Sequence, residues 1–297
     1  AFSLIWLEYN VHGHAAMWLP LLLLITDKII KTRKIKWALL GSLILALQVL
    51  AGYPQIVLYS LTAVGFYAIF RLFSLYRQEK SWKRIITPFF ELIAFVVLGV
   101  LLTAVQWLPG YEALKLSVRE IDPIASFSSG GFLPWQNLIT FFSPDFFGNP
   151  ATYNFWGKPW YDNFALYVGI LPLILVSLAI FGRKGKEVWF FTFLIIFALL
   201  LALPTPIGKF IERIGIYGVK SISARIIFLL DFGLAVLAAF GLDSLSKIKQ
   251  KKIWLVLAGF FVIFIFLWGF VFLAGRFCPQ SIWLIHLSVA KRNLILQ

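Results

Sequence analysis

The chain reads Ile85-Ile-Thr-Pro-Phe-Phe-Glu-Leu-Ile-Ala-Phe-Val-Val-Leu-Gly-Val-Leu-Leu-Thr-Ala-Val-Gln-Trp-Leu108, a run with one charged side chain, Glu91. An apolar run of about 20 residues is long enough to cross a bilayer as an α-helix. Similar runs recur from end to end of the 297 residues, of which 61% are hydrophobic and 13% charged. An average soluble domain is about 25% charged. The sequence therefore predicts an all-α polytopic membrane protein.

Eight apolar runs predict about eight transmembrane helices within one integral membrane domain over residues 1–297. They lie at residues 1–25, 37–51, 56–70, 85–108, 164–181, 188–203, 222–242 and 253–274. Because Ala1 already lies inside an apolar run, we expect the chain to be a fragment of a longer protein. The one long interruption is the polar and aromatic segment 108–163, for which we expect short interfacial helices in a long loop.

The net charge of +14 is explained by orientation and does not indicate a nucleic-acid partner. Alternate loops hold 17 of the Lys and Arg residues, at 26–36, 71–84, 182–187 and 243–252. The other set holds 9, at 52–55, 108–163, 204–221 and 275–297. Since basic loops remain in the cytoplasm, the charge pattern predicts that segment 108–163 lies outside the cytoplasmic membrane.

Segment 108–163 contains the first candidate site residues. A short aromatic helix is expected to start at Pro134, because proline suits a first turn, and to end before Ser143-Pro144. Asp145 follows among four Phe residues. A carboxylate against apolar rings can have a raised pKa, or can bind a metal ion or sugar hydroxyls. The alternative is a plain turn, since Ser-Pro-Asp is a good turn sequence.

Other candidates flank this segment or lie near helix ends. Trp160 and Asp162 combine an aromatic face with a carboxylate, which suits a sugar ring, although aromatic anchoring in the headgroup layer is at least as good an explanation. Gln106 and Glu112 are placed to line the mouth of a site. Arg225 lies at the outer end of the seventh run, where an arginine binds phosphate through two hydrogen bonds or simply extends to the interface.

Several kinds of site are disfavoured. The single Cys278 excludes a cysteine metal cluster, and no glycine-rich phosphate loop indicates nucleotide binding. His12 and His14 are two positions apart, about 200° around a helix, so they do not face one metal ion unless the helix breaks near Gly13. Because the basic loops are too short to hold a nucleotide-sugar domain, any chemistry must take place on the outer face, and its activated donor must be membrane-borne.

Four ordered stretches resemble the YfhO-like bacterial membrane proteins, which are placed with the GT-C type glycosyltransferases. They are Gly52-Tyr-Pro-Gln55, Gln106-Trp-Leu-Pro-Gly-Tyr-Glu112, Ser143-Pro-Asp-Phe-Phe-Gly148 with Tyr167-Val-Gly169, and Ser223-Ala-Arg225 continuing to Asp243. The likeness extends from about Gly52 to Asp243. Tyr53 stands where that family usually has His.

The resemblance implies a GT-C-like fold in the bacterial cytoplasmic membrane. It implies an enzyme that transfers sugar from a polyprenyl-phosphate donor to a cell-envelope glycopolymer or lipid on the outer face. Arg225 is the expected phosphate contact, Gln55 belongs to the binding residues, and Asp145 is a candidate catalytic residue. The resemblance places the usual catalytic acid upstream of this chain. A divalent metal ion remains open as a cofactor. A transporter or flippase of a lipid-linked saccharide, or a non-catalytic scaffold, is the alternative.

The predicted orientation can be tested with single cysteines introduced into a Cys278→Ser background. In intact cells, a membrane-impermeant maleimide is expected to label Ala151→Cys in segment 108–163 and to leave Gln78→Cys unlabelled until the cells are opened. The reverse labelling pattern would contradict the orientation derived from the basic loops.

Overall fold

The computed structural model describes residues 11–116, 131–158, 161–182, 185–217, 223–277 and 281–295, with the backbone alone for 274–277 and 281–285. Within these ranges the chain forms helices and turns and contains no β-strand. The prediction of an all-α protein is confirmed. The GT-C-like arrangement of the helices stays a prediction.

The apolar runs of the sequence all have helical counterparts. In chain order the α-helices are α1 (Val11–Thr32), α2 (Ile35–Leu50), α3 (Pro54–Glu79), α4 (Lys83–Leu102), α5 (Ala104–Lys115), α6 (Ile170–Gly182), α7 (Lys186–Ala202), α8 (Pro206–Ile214), α9 (Ile227–Ser244), α10 (Gln250–Phe277) and α11 (Ser281–Ile295). Short 3-10 helices lie at Trp135–Phe141, Pro150–Thr152, Tyr161–Asn163, Ser223–Ile226 and Leu245–Lys247.

Length and composition make five of the described helices candidates for membrane spans, or six if the bent pair α7 and α8 is one span. The five are α1, α3, α4, Ser223–Lys247 around α9, and Gln250–Leu273 within α10. Helices α2 and α6 are apolar but have only 16 and 13 residues, fewer than the about 20 needed to cross. A multi-pass arrangement is thus supported, and the count of eight spans stays a prediction.

The fourth run differs from its prediction because the helix breaks at Thr103. Helix α4 ends at Leu102 and α5 begins at Ala104. The Thr103 hydroxyl donates to the carbonyl of Val100 at 2.9 Å, and threonine side chains that bond to their own preceding turn often bend helices. After this break the chain is helical again as far as Lys115, beyond the predicted end of the run at Leu108. The expected short helix after Pro134 is found at Trp135–Phe141.

The chain divides into two compact units. The N-terminal unit comprises Ser3–Gly131 and Pro206–Leu229, and the C-terminal unit comprises Phe132–Thr205 and Leu230–Gln297. This division does not test the prediction of a single integral membrane domain, which stays a prediction. Each unit has its own buried apolar side chains, for example Leu45 and Phe95 in the N-terminal unit and Leu166 and Leu194 in the C-terminal unit.

Small residues let the helices approach closely in both units. In the N-terminal unit, a Cβ on Gly99 of α4 would lie 2.7 Å from Leu45 of α2. In the C-terminal unit, a Cβ on Gly241 of α9 would lie 2.0 Å from the carbonyl oxygen of Leu175 in α6. Glycine at such contacts is typical of membrane helices, which associate by close packing because lipid gives little hydrophobic driving force.

This packing predicts that Gly241→Ala destabilises the protein. The added methyl group must push α9 away from the backbone of α6, and overpacking of this kind costs about 1–3 kcal/mol. Gly259→Ala in α10 is the matched control, since a Cβ there meets nothing within 4 Å. In detergent, we expect a lower Tm for Gly241→Ala and an unchanged or higher Tm for Gly259→Ala. Equal Tm values for the two variants would contradict the packing.

Candidate functional site

The turn between α2 and α3 positions the first set of candidate residues. Gly52 has φ of +88°, a left-handed conformation that glycine adopts without strain. Tyr53 then precedes the helix, Pro54 occupies its first turn, and Gln55 follows with only 9% of its surface exposed. The Gly-Tyr-Pro-Gln sequence therefore reverses the chain and directs two polar side chains into the N-terminal unit.

Arg225 joins Tyr53 and Gln55 from a distant part of the chain. It lies on the 3-10 helix Ser223–Ile226, just before α9. Its Nη1 donates hydrogen bonds to the Tyr53 hydroxyl and to Gln55 Oε1, the latter at 3.5 Å. The guanidinium carbon also lies 5.3 Å from the centre of the Tyr53 ring, a cation–π distance. The predicted binding residues Arg225 and Gln55 are thus in direct contact.

The polar contacts continue from Gln55 along α3. Gln55 Nε2 donates to the Tyr59 hydroxyl at 2.9 Å, and Tyr59 is 2% exposed. The Tyr59 ring lies 4.4 Å from the ring of Tyr217, whose hydroxyl is 3.1 Å from the Thr62 hydroxyl. Because buried polar groups in an apolar environment are stable only when paired, this chain of contacts fixes the Gln55 side chain that meets Arg225.

Two further side chains complete the Arg225 cluster, which we define as His12, Tyr53, Gln55, Gln106 and Arg225. The His12 ring lies 3.8 Å from the Tyr53 ring. Gln106, on α5, places its Nε2 atom 3.7 Å from the position that a Cβ would take at Gly52. Its Oε1 atom is buried and has no hydrogen-bond partner among the described residues. The cluster therefore combines a cation, aromatic rings and an unused acceptor.

Asp145 lies in the C-terminal unit, within a tightly folded loop. Its Oδ1 accepts hydrogen bonds from the Tyr161 hydroxyl at 2.7 Å and from Asn149 Nδ2 at 3.3 Å. Asn149 Nδ2 also donates to the Tyr161 hydroxyl at 3.3 Å. Burial, and then the hydrogen bond to Asp145, raises the pKa of Tyr161 well above its usual range. Tyr161 therefore stays protonated and donates a hydrogen bond to the carboxylate.

A glycine closes the loop around Asp145. Gly148 donates its N–H to the carbonyl of Asp145 at 2.8 Å and has φ of +80°. A Cβ at this position would lie 2.2 Å from the carbonyl oxygen of Asn154, so no other residue fits without moving the backbone. Asn154 Oδ1 in turn accepts from the N–H of Asn149 at 2.8 Å. These contacts support the turn alternative for Asp145.

The same loop packs on the last two described helices through aromatic side chains. Phe146 and Phe147 are buried with Leu267 of α10 and Leu294 of α11. The Trp156 ring stacks on His286 of α11, with 4.8 Å between ring centres and 5° between planes. Asn293 Nδ2 donates to the backbone carbonyl of Asp145 at 2.5 Å. The loop is therefore held to α10 and α11 by apolar packing, an aromatic stack and a hydrogen bond.

The remaining predicted site residues do not join either cluster through described contacts. Glu112 is exposed on α5. Asp162 lies in the 3-10 helix Tyr161–Asn163 and accepts a hydrogen bond from Asn163 Nδ2 at 3.1 Å. Trp160 lies outside the described residues. Among the described residues, no group of three or more His, Cys, Asp or Glu side chains is placed to hold a metal ion.

Sequence reasoning missed His12, Tyr53, Tyr59 and Tyr217 as members or supports of the Arg225 cluster. The available signal was Tyr53 itself, since it lies inside the Gly-Tyr-Pro-Gln sequence that also contains Gln55. Tyr217 had no such signal, because it meets Tyr59 and Thr62 only after folding.

The chain matches no family model, and comparison with curated proteins and with solved structures finds no match.

The Asp145 loop predicts a selective effect of removing one hydroxyl. Tyr161→Phe removes a hydrogen bond to a carboxylate, which typically contributes about 1.5–3 kcal/mol, so we expect a lower Tm. The control is Tyr153→Phe, because Tyr153 is 98% exposed and its hydroxyl is solvated. With Asp145→Ala as background, Tyr161→Phe should lower Tm much less. Equal Tm losses with and without Asp145 would contradict the contact.

Proposed function

We propose that this chain is a membrane glycosyltransferase that uses a polyprenyl-phosphate sugar and that Arg225 binds the phosphate of this donor. The acceptor is a cell-envelope glycopolymer or lipid on the outer face of a bacterial cytoplasmic membrane, as the resemblance to YfhO-like proteins implies. The observation that carries the proposal is the Arg225 cluster, in which a cation is held by Tyr53 and Gln55 beside candidate membrane helices.

The chemistry of the cluster suits a lipid phosphate. Tyr53 and Gln55 hold the guanidinium in place through its Nη1 atom. A charge at the level of membrane helices is costly, and such residues usually mark a substrate site. A guanidinium offers five N–H donors in a planar fork that matches two phosphate oxygens. The Tyr53 ring restricts the orientation of this fork before the ligand arrives, which reduces the entropy lost on binding.

Gln106 supplies a second contact suited to the donor. Its buried Oε1 atom lacks a hydrogen-bond partner among the described residues, and a buried acceptor without a partner is destabilising. A free hydroxyl of the sugar that the phosphate carries would donate a hydrogen bond to Gln106 Oε1. Glu112 stays a candidate for the mouth of a site, and Trp160 and Asp162 stay separate candidates for sugar binding. In this proposal the Arg225 cluster binds the donor head group, with phosphate at Arg225 and sugar toward Gln106.

The proposed reaction is a transfer of the sugar from the lipid phosphate to an acceptor hydroxyl. An acceptor hydroxyl attacks the anomeric carbon, a new glycosidic C–O bond forms, and the bond between that carbon and the phosphate oxygen breaks. A carboxylate takes the hydroxyl proton, and polyprenyl phosphate leaves with the bonding electrons. Arg225 stabilises the negative charge that develops on the leaving phosphate. Asp145 stays the candidate catalytic residue of this chain.

A second function, transport of a lipid-linked saccharide, is favoured by one feature of the helices. Helix α4 breaks at Thr103 before α5, and α7 is followed after a bend by α8. Interrupted membrane helices are common at the binding sites of transporters. A transporter would also use Arg225 to bind the phosphate, so the two functions differ in whether a glycosidic bond is formed.

The phosphate contact predicts a defined loss of binding. We expect Arg225→Ala to weaken binding of undecaprenyl phosphate to the purified chain by about 10–100-fold, since hydrogen bonds between charged groups contribute about 1.5–3 kcal/mol. Arg225→Lys keeps the charge but loses the planar fork, so its affinity should be intermediate. Arg77→Ala is the control, because Arg77 packs on Phe73 near the other end of α3. Native mass spectrometry with titrated lipid measures all three variants.

Equal affinity of Arg225→Ala and Arg77→Ala would remove Arg225 from the phosphate site. Incubation of the protein in liposomes with a radiolabelled polyprenyl-phosphate sugar and cell-wall acceptor then separates the two functions. Radiolabel in the acceptor supports the glycosyltransferase. Movement of the intact lipid-linked sugar between leaflets, with no labelled acceptor, would contradict the glycosyltransferase function and support transport.

A further inference from the structure

Helix α8 is too short to cross a membrane on its own. It has nine residues, Pro206–Ile214, which span about 14 Å at 1.5 Å per residue, whereas the hydrocarbon core is about 30 Å thick. It starts at Pro206 and is terminated by the next residue, Gly215, which has φ of +74° and donates its N–H to the carbonyl of Ile211 at 3.2 Å. The helix is thus a separate element with defined ends.

The two sides of α8 differ sharply in chemistry. Ile207, Phe210 and Ile214 are 53%, 60% and 54% exposed, and their spacing of three and four residues places them on one helical face. Lys209 and Arg213, also exposed, are four residues apart and point to another side of the helix. Such a pairing of an apolar face with cationic residues is typical of helices that lie in the membrane interface.

One end of α8 is anchored to the N-terminal unit, and this fixes where the helix lies within that unit. Gly208 is buried, so that side of the helix rests on the protein. Just beyond the helix, the Tyr217 ring packs against the Tyr59 ring, and the Tyr217 hydroxyl forms a hydrogen bond with the Thr62 hydroxyl. Both partners belong to the membrane-spanning candidate α3. Through Tyr217, α8 is therefore tied to a helix that is itself a candidate membrane span.

We infer that α8 lies in the plane of the membrane interface and binds an anionic phospholipid surface. Ile207, Phe210 and Ile214 enter the acyl-chain region, while Lys209 and Arg213 contact lipid phosphates. Charge complementarity identifies the occupant, since two exposed cations beside an apolar face match a layer of anionic headgroups over acyl chains. This inference does not depend on the proposed sugar transfer, because it holds equally for an enzyme and for a transporter.

The depth of α8 can be measured with spin labels in a Cys278→Ser background. Phe210→Cys and the matched Lys209→Cys are labelled with a nitroxide, and the protein is reconstituted in phosphatidylcholine and phosphatidylglycerol vesicles. Power saturation with oxygen and with a water-soluble nickel complex then reports the depth of each label. We expect the label at 210 to favour oxygen and the label at 209 to favour nickel. The same depth for both labels, either immersed as in a crossing helix or in water, would overturn the inference.

The anionic contact is tested by lipid binding of the unlabelled protein. Native mass spectrometry counts bound phosphatidylglycerol for the Lys209→Gln/Arg213→Gln variant and for the charge-preserving Lys209→Arg/Arg213→Lys variant. We expect at least a twofold loss of bound phosphatidylglycerol in the first variant and none in the second. If both retain the wild-type number, or if phosphatidylcholine is lost equally, the cationic contact is overturned. A dimer that dissociates on Phe210→Ser would instead assign the face to a second copy of the chain and also contradict the inference.

Discussion

The pairing of buried polar groups with one another is the constraint on which the N-terminal unit depends. The hydrocarbon core contains no water to hydrogen-bond to these groups, so a buried polar group is stabilised by a partner within the protein and an unpaired one is costly. The Nε2 atom of Gln48 shows this pairing away from any site, since Gln48 is fully buried and this atom donates to the carbonyl of Ala15 and the hydroxyl of Ser60, both at 2.8 Å. The contacts from Arg225 through Gln55 to Tyr59 obey the same rule.

The Asp145 loop and the Arg225 cluster differ in what their geometry allows. The Asp145 carboxylate accepts hydrogen bonds from Tyr161 and Asn149, and its carbonyl accepts from Asn293, so its atoms already organise the loop. A base in catalysis must instead present an oxygen to the substrate. Arg225 is positioned by Tyr53 and Gln55, and its guanidinium stays charged and matches two phosphate oxygens. For this reason the proposed function rests on Arg225 and leaves Asp145 as a candidate only.

Much of the fold was predictable from sequence because long apolar runs have few alternatives to membrane helices. The break at Thr103 was not, since one threonine hydroxyl in an apolar run gives no periodic signal. Gln55 and Arg225 were both predicted as binding residues, but their contact was not, because 170 positions separate them in the chain. Helix α8 was read as loop, since nine residues are too few for the length criterion that identified the runs.

The central claim, that Arg225 binds the phosphate of a polyprenyl carrier, is tested most directly by a distance between the two groups. Solid-state NMR can measure the dipolar coupling between phosphorus-31 of undecaprenyl phosphate and nitrogen-15 of arginine side chains, in bilayers of a glycolipid that contains no phosphorus. We predict a coupling that corresponds to direct N–H···O contact, about 2.7–2.9 Å between nitrogen and oxygen, and its loss in Arg225→Lys. A coupling that persists in Arg225→Lys, or its absence from the wild-type protein, would contradict the account.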